Sequence, residues 1–393
     1  MSRILFITSK PYDPWEGACH RTRHTLEALS ALGHTVDLLA VPVGCFPDIA
    51  DVSVLRVPRL PFCRRLPDGP SVRRFALDLL MLFKAVFLAS GSSYTLIHGI
   101  DDGGVIAWIA ARLTKTPCVF ERHTAPTREN VKGPRRAWLG FCRFFERRAL
   151  KHADAVIGND ASIADALDAF GRRSRACVIP DIPAVTEDVS VPAQNLARIR
   201  FKPSADHKLA VCVGSYTRFQ GLDLFFNAIP YVLKANPLVR FAVVGGSEHE
   251  IQRMRKALAQ AEVEEAVTFT GRIPPGELAA LLSIADALVS PRRAGASAPI
   301  KVLDYLYSGA PVVATNTAAN RAVLSSENAL IVQAEPEKLP EALANGILRL
   351  CNEPQLGAKL GRCGHETLAR ENRTPEAFRN ALRRCYDYAA SRP

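Results

Sequence analysis

The chain is short of several things that would place it at once. No apolar run reaches the ~20 residues needed to span a bilayer. The most apolar stretch, Phe75–Ala89, is interrupted by Asp78 and Lys84. The N-terminus, MSRILFITSKP, has neither a long apolar core nor a small-residue cleavage site, which argues against a secretory signal. Ten cysteines are scattered without C-x-x-C pairs or zinc spacing. That argues against a disulfide framework or a zinc module and for free thiols in a reducing cytosol. No metal-binding motif is visible.

What is present is ordinary in bulk and uneven in detail. Hydrophobic content of 48% and charged content of 23% fit a well-cored globular protein, and 393 residues suggest two or three domains. The net charge is +11. Between Leu55 and His152 there are 18 Lys and Arg against 7 Asp and Glu, so this segment carries the whole excess. A local anionic partner fits better than a nucleic-acid coat.

Short apolar runs alternate with amphipathic stretches along most of the chain. Strands are expected at 4–8, 36–41, 52–57, 96–98, 117–121, 155–158 and 176–179, with helices between most of them. A proline-bearing stretch follows, with Pro180, Pro183, Pro192 and Pro203, and reads as a linker. The rhythm then restarts, with strands at 209–213, 240–245, 267–270, up to Pro291, 311–315 and 329–332. Strands alternating with helices imply parallel sheets covered on both faces. The simplest organisation is an α/β chain of two Rossmann-like domains: 1–185, a linker at 186–205, 206–372, and a C-terminal helix at 373–393 packing back on the first domain. Ligands of such sheets bind at the carboxyl ends of strands, and the natural site of a two-domain chain is the cleft between them.

The most informative segment is Ser290–Asn316. A strand stops at Pro291, and Gly295-Ala-Ser-Ala298 has little side-chain bulk, so backbone N–H groups there can approach a ligand. Pro299 suits the first turn of a helix. Val302, Leu303, Leu306 and Tyr307 give that helix an apolar face, and Ser308-Gly309 stops it before the strand at Pro311–Thr315. A helix N-terminus behind small residues is an anion site.

This segment resembles the donor-binding signature of the retaining, GT-B-fold glycosyltransferases of family 4, or group 1. Gly295, Pro299, Asp304, Gly309, Pro311, Val312, Val313 and Ala314 fall on its frame. Val213–Leu224 resembles the family's Val-Gly-Arg-(four residues)-Lys-Gly segment, and Phe269-Thr-Gly-Arg-Ile273 its turn over the nucleotide base. Gly17 after the first strand, Gly33-His34-x-Val36, and His123 after Pro117-Cys-Val-Phe120 match in the first domain. The resemblance runs in order over nearly the whole chain. It implies a GT-B fold, with two Rossmann-like domains facing across a cleft.

Three charged positions of the common pattern are absent. The family's Arg and Lys fall on Ser215 and Gln220, and its first glutamate on Ala296. Charge-assisted contacts to phosphate are worth ~1.5–3 kcal/mol each. Either the site is degenerate or its charge comes from elsewhere. The chain is similar to a sub-branch with an Arg-x-x-Gly-Thr-Asn-Thr-Pro-Leu-Lys loop and Tyr-Gln-Gly. Here these correspond to Arg292, Gly295–Pro299 and Lys301, and to Phe219-Gln220-Gly221.

The resemblance implies donor contacts at Gly17, Gly214, Arg218, Gln220, Gly271, Arg272, Arg292, Gly295, Ala296, Ser297, Lys301 and Asp304, the last with ribose hydroxyls. It places His123 against the donor sugar as the catalytic residue. Arg21, near the start of a helix, is an acceptor-side candidate for phosphate. Each has a plainer reading: a packed histidine, a solvated Arg293, an i,i+3 pair of Lys301 with Asp304. Asp101 and Asp102 read as helix caps, and Glu146 as a salt-bridge partner. The implied reaction moves a sugar from a nucleotide-diphosphate donor to a hydroxyl of a glycan or lipid-linked acceptor, with retention. It needs no cofactor and no metal. A nucleotide-sugar epimerase, or a binding or scaffold protein with a degenerate site, are the alternatives. The arginines and aromatics of 55–152 suggest an anionic membrane surface as a partner, hence a cytoplasmic protein, peripheral to the membrane. No nucleic-acid partner is expected.

Overall fold

The computed structural model describes residues 2–13, 17–59, 72–123, 134–186, 188–295 and 298–391. They form two compact units: Met1–Asp181 with Pro375–Pro393, and Ile182–Thr374.

The first unit is built on seven parallel strands: β1 (Arg3–Thr8), β2 (Thr35–Ala40), β3 (Val52–Arg56), β4 (Leu96–Ile100), β5 (Cys118–Arg122), β6 (Ala155–Gly158) and β7 (Ala176–Val178). Their order is β3-β2-β1-β4-β5-β6-β7. Helices α1 (Gly17–Ala31), α2 (Val72–Gly91), α3 (Asp102–Thr114), α4 (Pro134–His152) and α5 (Ser162–Asp168) connect them. A sheet covered on both faces needs continuous apolar strands, and Ile4-Leu-Phe-Ile7 is buried throughout. Side chains alternate across the sheet. Leu5 and Ile7 join a core with Leu77 and Met81 of α2 and Ala107 and Ala110 of α3.

The second unit has six parallel strands: β8 (Lys208–Val213), β9 (Val239–Val244), β10 (Val267–Gly271), β11 (Ala287–Ser290), β12 (Val312–Thr315) and β13 (Leu330–Val332), in the order β10-β9-β8-β11-β12-β13. Its helices are α6 (Val191–Phe201), α7 (Leu222–Ala235), α8 (Glu248–Gln260), α9 (Pro275–Ser283), α10 (Ile300–Ser308), α11 (Ala318–Arg321), α12 (Leu339–Asn352) and α13 (Pro354–Arg370). Leu209 and Val211 pack with α9 and α10 on one face. Ala210 and Cys212 pack with α7 and α12 on the other. A last helix, α14 (Pro375–Ala390), belongs to the first unit and packs on α1.

One expectation is corrected. The stretch 186–205 is not a plain linker, because it contains α6. The Ser190 side chain caps that helix by accepting from the Ala193 N–H, and Pro192 lies in the first turn, where its missing N–H is not needed. Ala197 and Phe201 are buried, and α6 packs on α9. Every cysteine among the described residues is a free thiol. No described helix is long and apolar enough to cross a membrane.

Candidate active site

A doubly wound sheet opens a crevice where its strand order reverses, beyond the carboxyl ends of the two strands involved. In the second unit these strands are β8 and β11, and in the first unit β1 and β4. The site candidates gather at these two places.

In the second unit the chain leaves β8 through Gly214 and turns back at Gly221. Gly221 has φ of 72°, and a Cβ on it would stand 1.8 Å from the Pro291 carbonyl oxygen. Only glycine lets the β8 and β11 loops approach this closely. Gly245, with φ of 107°, passes Gly214 as tightly: its Cβ would be 2.4 Å from the Gly214 oxygen. The β8, β9 and β11 loops are therefore drawn together by backbone contact.

α10 anchors the floor of this crevice. Tyr305 is fully buried, and its hydroxyl accepts from the Val213 N–H at 2.8 Å and donates to the Val289 carbonyl at 3.4 Å. It thus links the ends of β8 and β11. Lys301 Nζ donates to the Val213 carbonyl at 2.6 Å. A Cβ on Gly214 would lie 3.1 Å from that ammonium and 3.6 Å from Gln220 Oε1. Gly214, Gln220 and Lys301 therefore lie together. Burial lowers the Lys301 pKa to about 8, Cys212 opposing and Arg292 reinforcing the shift. Gln220 Oε1 is buried and has no hydrogen-bond partner among the described residues.

Arg292 leaves β11 with its guanidinium over the Phe219 ring, 5.4 Å from the centroid, and its Nε donating to the Ala294 carbonyl at 3.3 Å. Burial lowers its pKa. Gly295, with φ of 129°, gives it room: a Cβ there would be 2.8 Å from Arg292 Nη2. No carboxylate pairs with Arg292 or Lys301 among the described residues. Arg293 differs, being paired with Asp223 at the start of α7. The N-terminus of α10 has no side-chain cap, so its first N–H groups add positive potential.

The remaining donor candidates are more dispersed. Arg218 is exposed on a short turn at Arg218–Gln220. Ser215 is exposed and its hydroxyl lies 3.0 Å from that of Thr217. Gly271 ends β10 with φ of 65°, its carbonyl accepting from the Gly245 N–H at 2.7 Å, and Arg272 after it is exposed. Ala296 and Ser297 lie outside the described residues. Asp304 has a structural task. Its Oδ1 accepts from the Ala184 and Val185 N–H groups at 2.6 and 3.3 Å. It sits one turn beyond Lys301 and ties down the chain entering the unit. The Lys301 ammonium goes to the Val213 carbonyl rather than into an i,i+3 pair.

In the first unit, Asp101 ends β4 with φ of 48° and ψ of −116°. Its side chain does not cap α3, contrary to expectation, although its carbonyl accepts from the Gly104 N–H at 2.9 Å. Its Oδ2 instead pairs with Lys10 Nζ at 2.6 Å, and its Oδ1 accepts from the His123 N–H at 2.9 Å. Such a backbone conformation persists only where its surroundings hold it. His123 follows β5, with Nε2 3.0 Å from Glu121 Oε1. Gly17 opens α1, and residues 14–16 of the loop before it lie outside the described residues.

Arg21 is corrected outright. It is not a free phosphate ligand: its side chain is 4% exposed and is paired with both Glu121 and Asp181. Two carboxylates already neutralise it. Glu146 pairs with Arg122 at 3.5 Å, and Arg143 of its own helix also acts on its charge. Sequence reasoning missed Glu121, whose signal was a carboxylate within the apolar run Cys118-Val-Phe120. It also missed His98 and Tyr386, which join the same network.

Comparison with known proteins completes the picture. Residues 16–181 match the family model of the glycosyl transferase 4-like domain, and residues 207–353 that of glycosyl transferases group 1. The chain is 23% identical over 385 residues to a phosphatidyl-myo-inositol mannosyltransferase of Mycobacterium tuberculosis, covering 94% of this chain and 92% of the relative. It is 27% identical over 227 residues to a GDP-mannose-dependent alpha-(1-6)-phosphatidylinositol monomannoside mannosyltransferase of Mycolicibacterium smegmatis. That match spans 53% of this chain and 58% of the relative's length. Among solved structures, sucrose-phosphate synthase from Thermosynechococcus elongatus superposes with a TM-score of 0.75 at 21% identity, over 98% of each chain.

Proposed function

The chain belongs to the group 1 glycosyltransferases, and on that premise we propose that it moves a sugar, with retention, from a nucleotide-diphosphate donor to a hydroxyl of a glycan or lipid-borne acceptor. The observation that carries this reading is the pair Lys301 and Arg292. Both are partly withdrawn from water at the β8–β11 crevice, both lack a carboxylate partner among the described residues, and both stand beside the uncapped N-terminus of α10. Uncompensated cations at such a place suit a diphosphate.

The departing nucleoside diphosphate gains negative charge as the glycosidic bond breaks. Lys301, Arg292 and the α10 amides are preorganised to receive it, and such groups act most strongly where water is excluded. Gly214 supplies close backbone approach, and Gln220 offers a free acceptor for a donor hydroxyl. Gly271 and Arg272 flank the place of the base. His123 serves the donor sugar, and the first unit takes the acceptor. The leaving phosphate accepts the acceptor proton, so no protein base is assigned. The charge of the missing arginine and lysine positions is met by Lys301 and Arg292, so no metal is required.

Release of nucleoside diphosphate from a panel of sugar nucleotides, with and without extracted lipid and glycan acceptors, tests the reading. Acceptor-dependent release supports transfer. Conversion of the donor without acceptor would make the protein an epimerase, and no donor binding at millimolar concentration would make it a scaffold.

A membrane surface is proposed as a second partner. Phe75, Leu79, Phe83 and Phe87 recur every four residues on α2 and are 41, 41, 65 and 77% exposed. Phe141 and Phe144 are exposed on α4 beside the exposed Arg147 and Arg148. Arg64, Arg65 and residues 124–133 of the basic segment lie outside the described residues. An exposed apolar stripe with arginines nearby suits anionic lipid. Equal recovery with neutral and anionic vesicles in co-sedimentation would refute it.

A further inference from the structure

Glu121 is an ionisable side chain near the carboxyl end of a buried strand. Its neighbours Val119 and Phe120 are fully buried, and its own side chain is 1% exposed. Burying a carboxylate this way costs several kcal/mol unless charges and hydrogen bonds repay it. Three basic groups surround it. Arg21 pairs with Oε1, His123 Nε2 lies 3.0 Å from Oε1, and His98 Nε2 lies 3.1 Å from Oε2. Burial alone would raise the Glu121 pKa, but Arg21 and His123 outweigh it and hold it well below the usual carboxylate range. The group is therefore a fixed anion.

The partners are themselves fixed. Arg21 Nη1 donates to the Ile179 carbonyl and to Asp181 Oδ1, each at 2.8 Å. His98 Nδ1 lies 2.6 Å from the Tyr386 hydroxyl, and burial lowers the His98 pKa against the pull of Glu121, which favours the neutral ring. Glu121 thus cannot swing away. His123 is held at both ends: Asp101 holds its backbone N–H and Glu121 meets its ring.

We propose that Glu121 is a positioning residue for His123. Its carboxylate keeps the ring hydrogen on Nε2 and leaves Nδ1 as the nitrogen presented to the ligand. The proposal rests on the reading that His123 serves the donor sugar. The physical logic is electrostatic: a bare ring nitrogen 3.0 Å from a carboxylate oxygen would set a lone pair against an anion, so the hydrogen stays on the nitrogen nearer the charge. Glutamine in place of Glu121 would remove both the anion and the fixed choice of tautomer.

Two measurements test it. The first is imidazole nitrogen NMR of the intact protein at a pH where the ring is neutral. The proposal expects hydrogen on Nε2 and a bare Nδ1 for His123; hydrogen on Nδ1 overturns it. This readout needs no variant and no activity, so it stands apart from the proposed transfer reaction. The second is kinetic, with Glu121→Gln, His123→Ala and the double variant. Glu121→Gln should lower kcat about 10- to 100-fold, by analogy with carboxylates that orient metal-ligating histidines, with donor KM changed far less. In the His123→Ala background it should cost no further activity. Equal losses in both backgrounds would make Glu121 a purely structural residue and overturn the proposal.

Discussion

Lys301 gives the donor site a pH dependence that can be worked out in advance. Its ammonium is buried against the Val213 carbonyl and has a pKa of about 8, against 10.5 for an ordinary lysine. At pH 7 about nine molecules in ten carry the charge, and at pH 9 about one in ten. If the charged form binds the diphosphate, donor affinity should weaken about tenfold across that interval. The fall is bounded by the worth of one charge-assisted contact, ~1.5–3 kcal/mol, or about 10- to 150-fold. The stability effect has the opposite sign. A lowered lysine pKa means that the unfolded chain holds more protons between about 8 and 10.5, so folding stability from this group rises with pH there. Calorimetry with an intact sugar nucleotide at pH 7 and 9, in buffers of different ionisation enthalpy, separates the two. Binding near pH 8 should take up protons, and Lys301→Met should bind weakly with no pH slope. Flat affinity between pH 7 and 9 without proton uptake, or wild-type affinity in Lys301→Met, would refute the reasoning.

Other expectations follow from the same geometry. Tyr305→Phe leaves the buried Val213 N–H without its acceptor and should cost ~1–3 kcal/mol by denaturant unfolding; a change under ~0.5 kcal/mol would mean the hydroxyl does not link β8 to its helix. Gly221→Ala drives a Cβ to 1.8 Å from the Pro291 oxygen, so it should weaken donor binding by parting the two loops, and unchanged donor affinity would contradict the close approach. Transfer should survive exhaustive chelation with EDTA, because Lys301 and Arg292 carry the phosphate charge; loss restored by a divalent ion would assign that role to metal.

The sheets were legible because parallel strands buried on both faces must be continuously apolar, and runs such as Ile4–Ile7 and Val312–Ala314 show it without any long-range information. α6 was not legible. Its Pro192 looked like a breaker but occupies the first turn, and nothing local says that Ala197 and Phe201 have a partner in α9. The site divides in the same way. Lys301, Arg292 and Gly214 could be placed because they stand at strand ends and helix starts that the sequence marks. Arg21 could not, since its partners Glu121 and Asp181 lie 100 and 160 residues away. A buried ion pair between distant residues looks, in sequence, like a free arginine near a helix start. The Asp304 hydrogen bonds were hidden for a related reason: its helical position is plain, but the amides it holds at Ala184 and Val185 come from far up the chain.

The most direct test of the account is acceptor-dependent release of nucleoside diphosphate by the wild-type chain and by Arg292→Ala. The account predicts release with the intact protein only when a hydroxyl acceptor is supplied, and weaker sugar-nucleotide binding with loss of release in the variant. Unchanged affinity and release in Arg292→Ala would contradict the claim that the β8–β11 crevice holds the donor diphosphate.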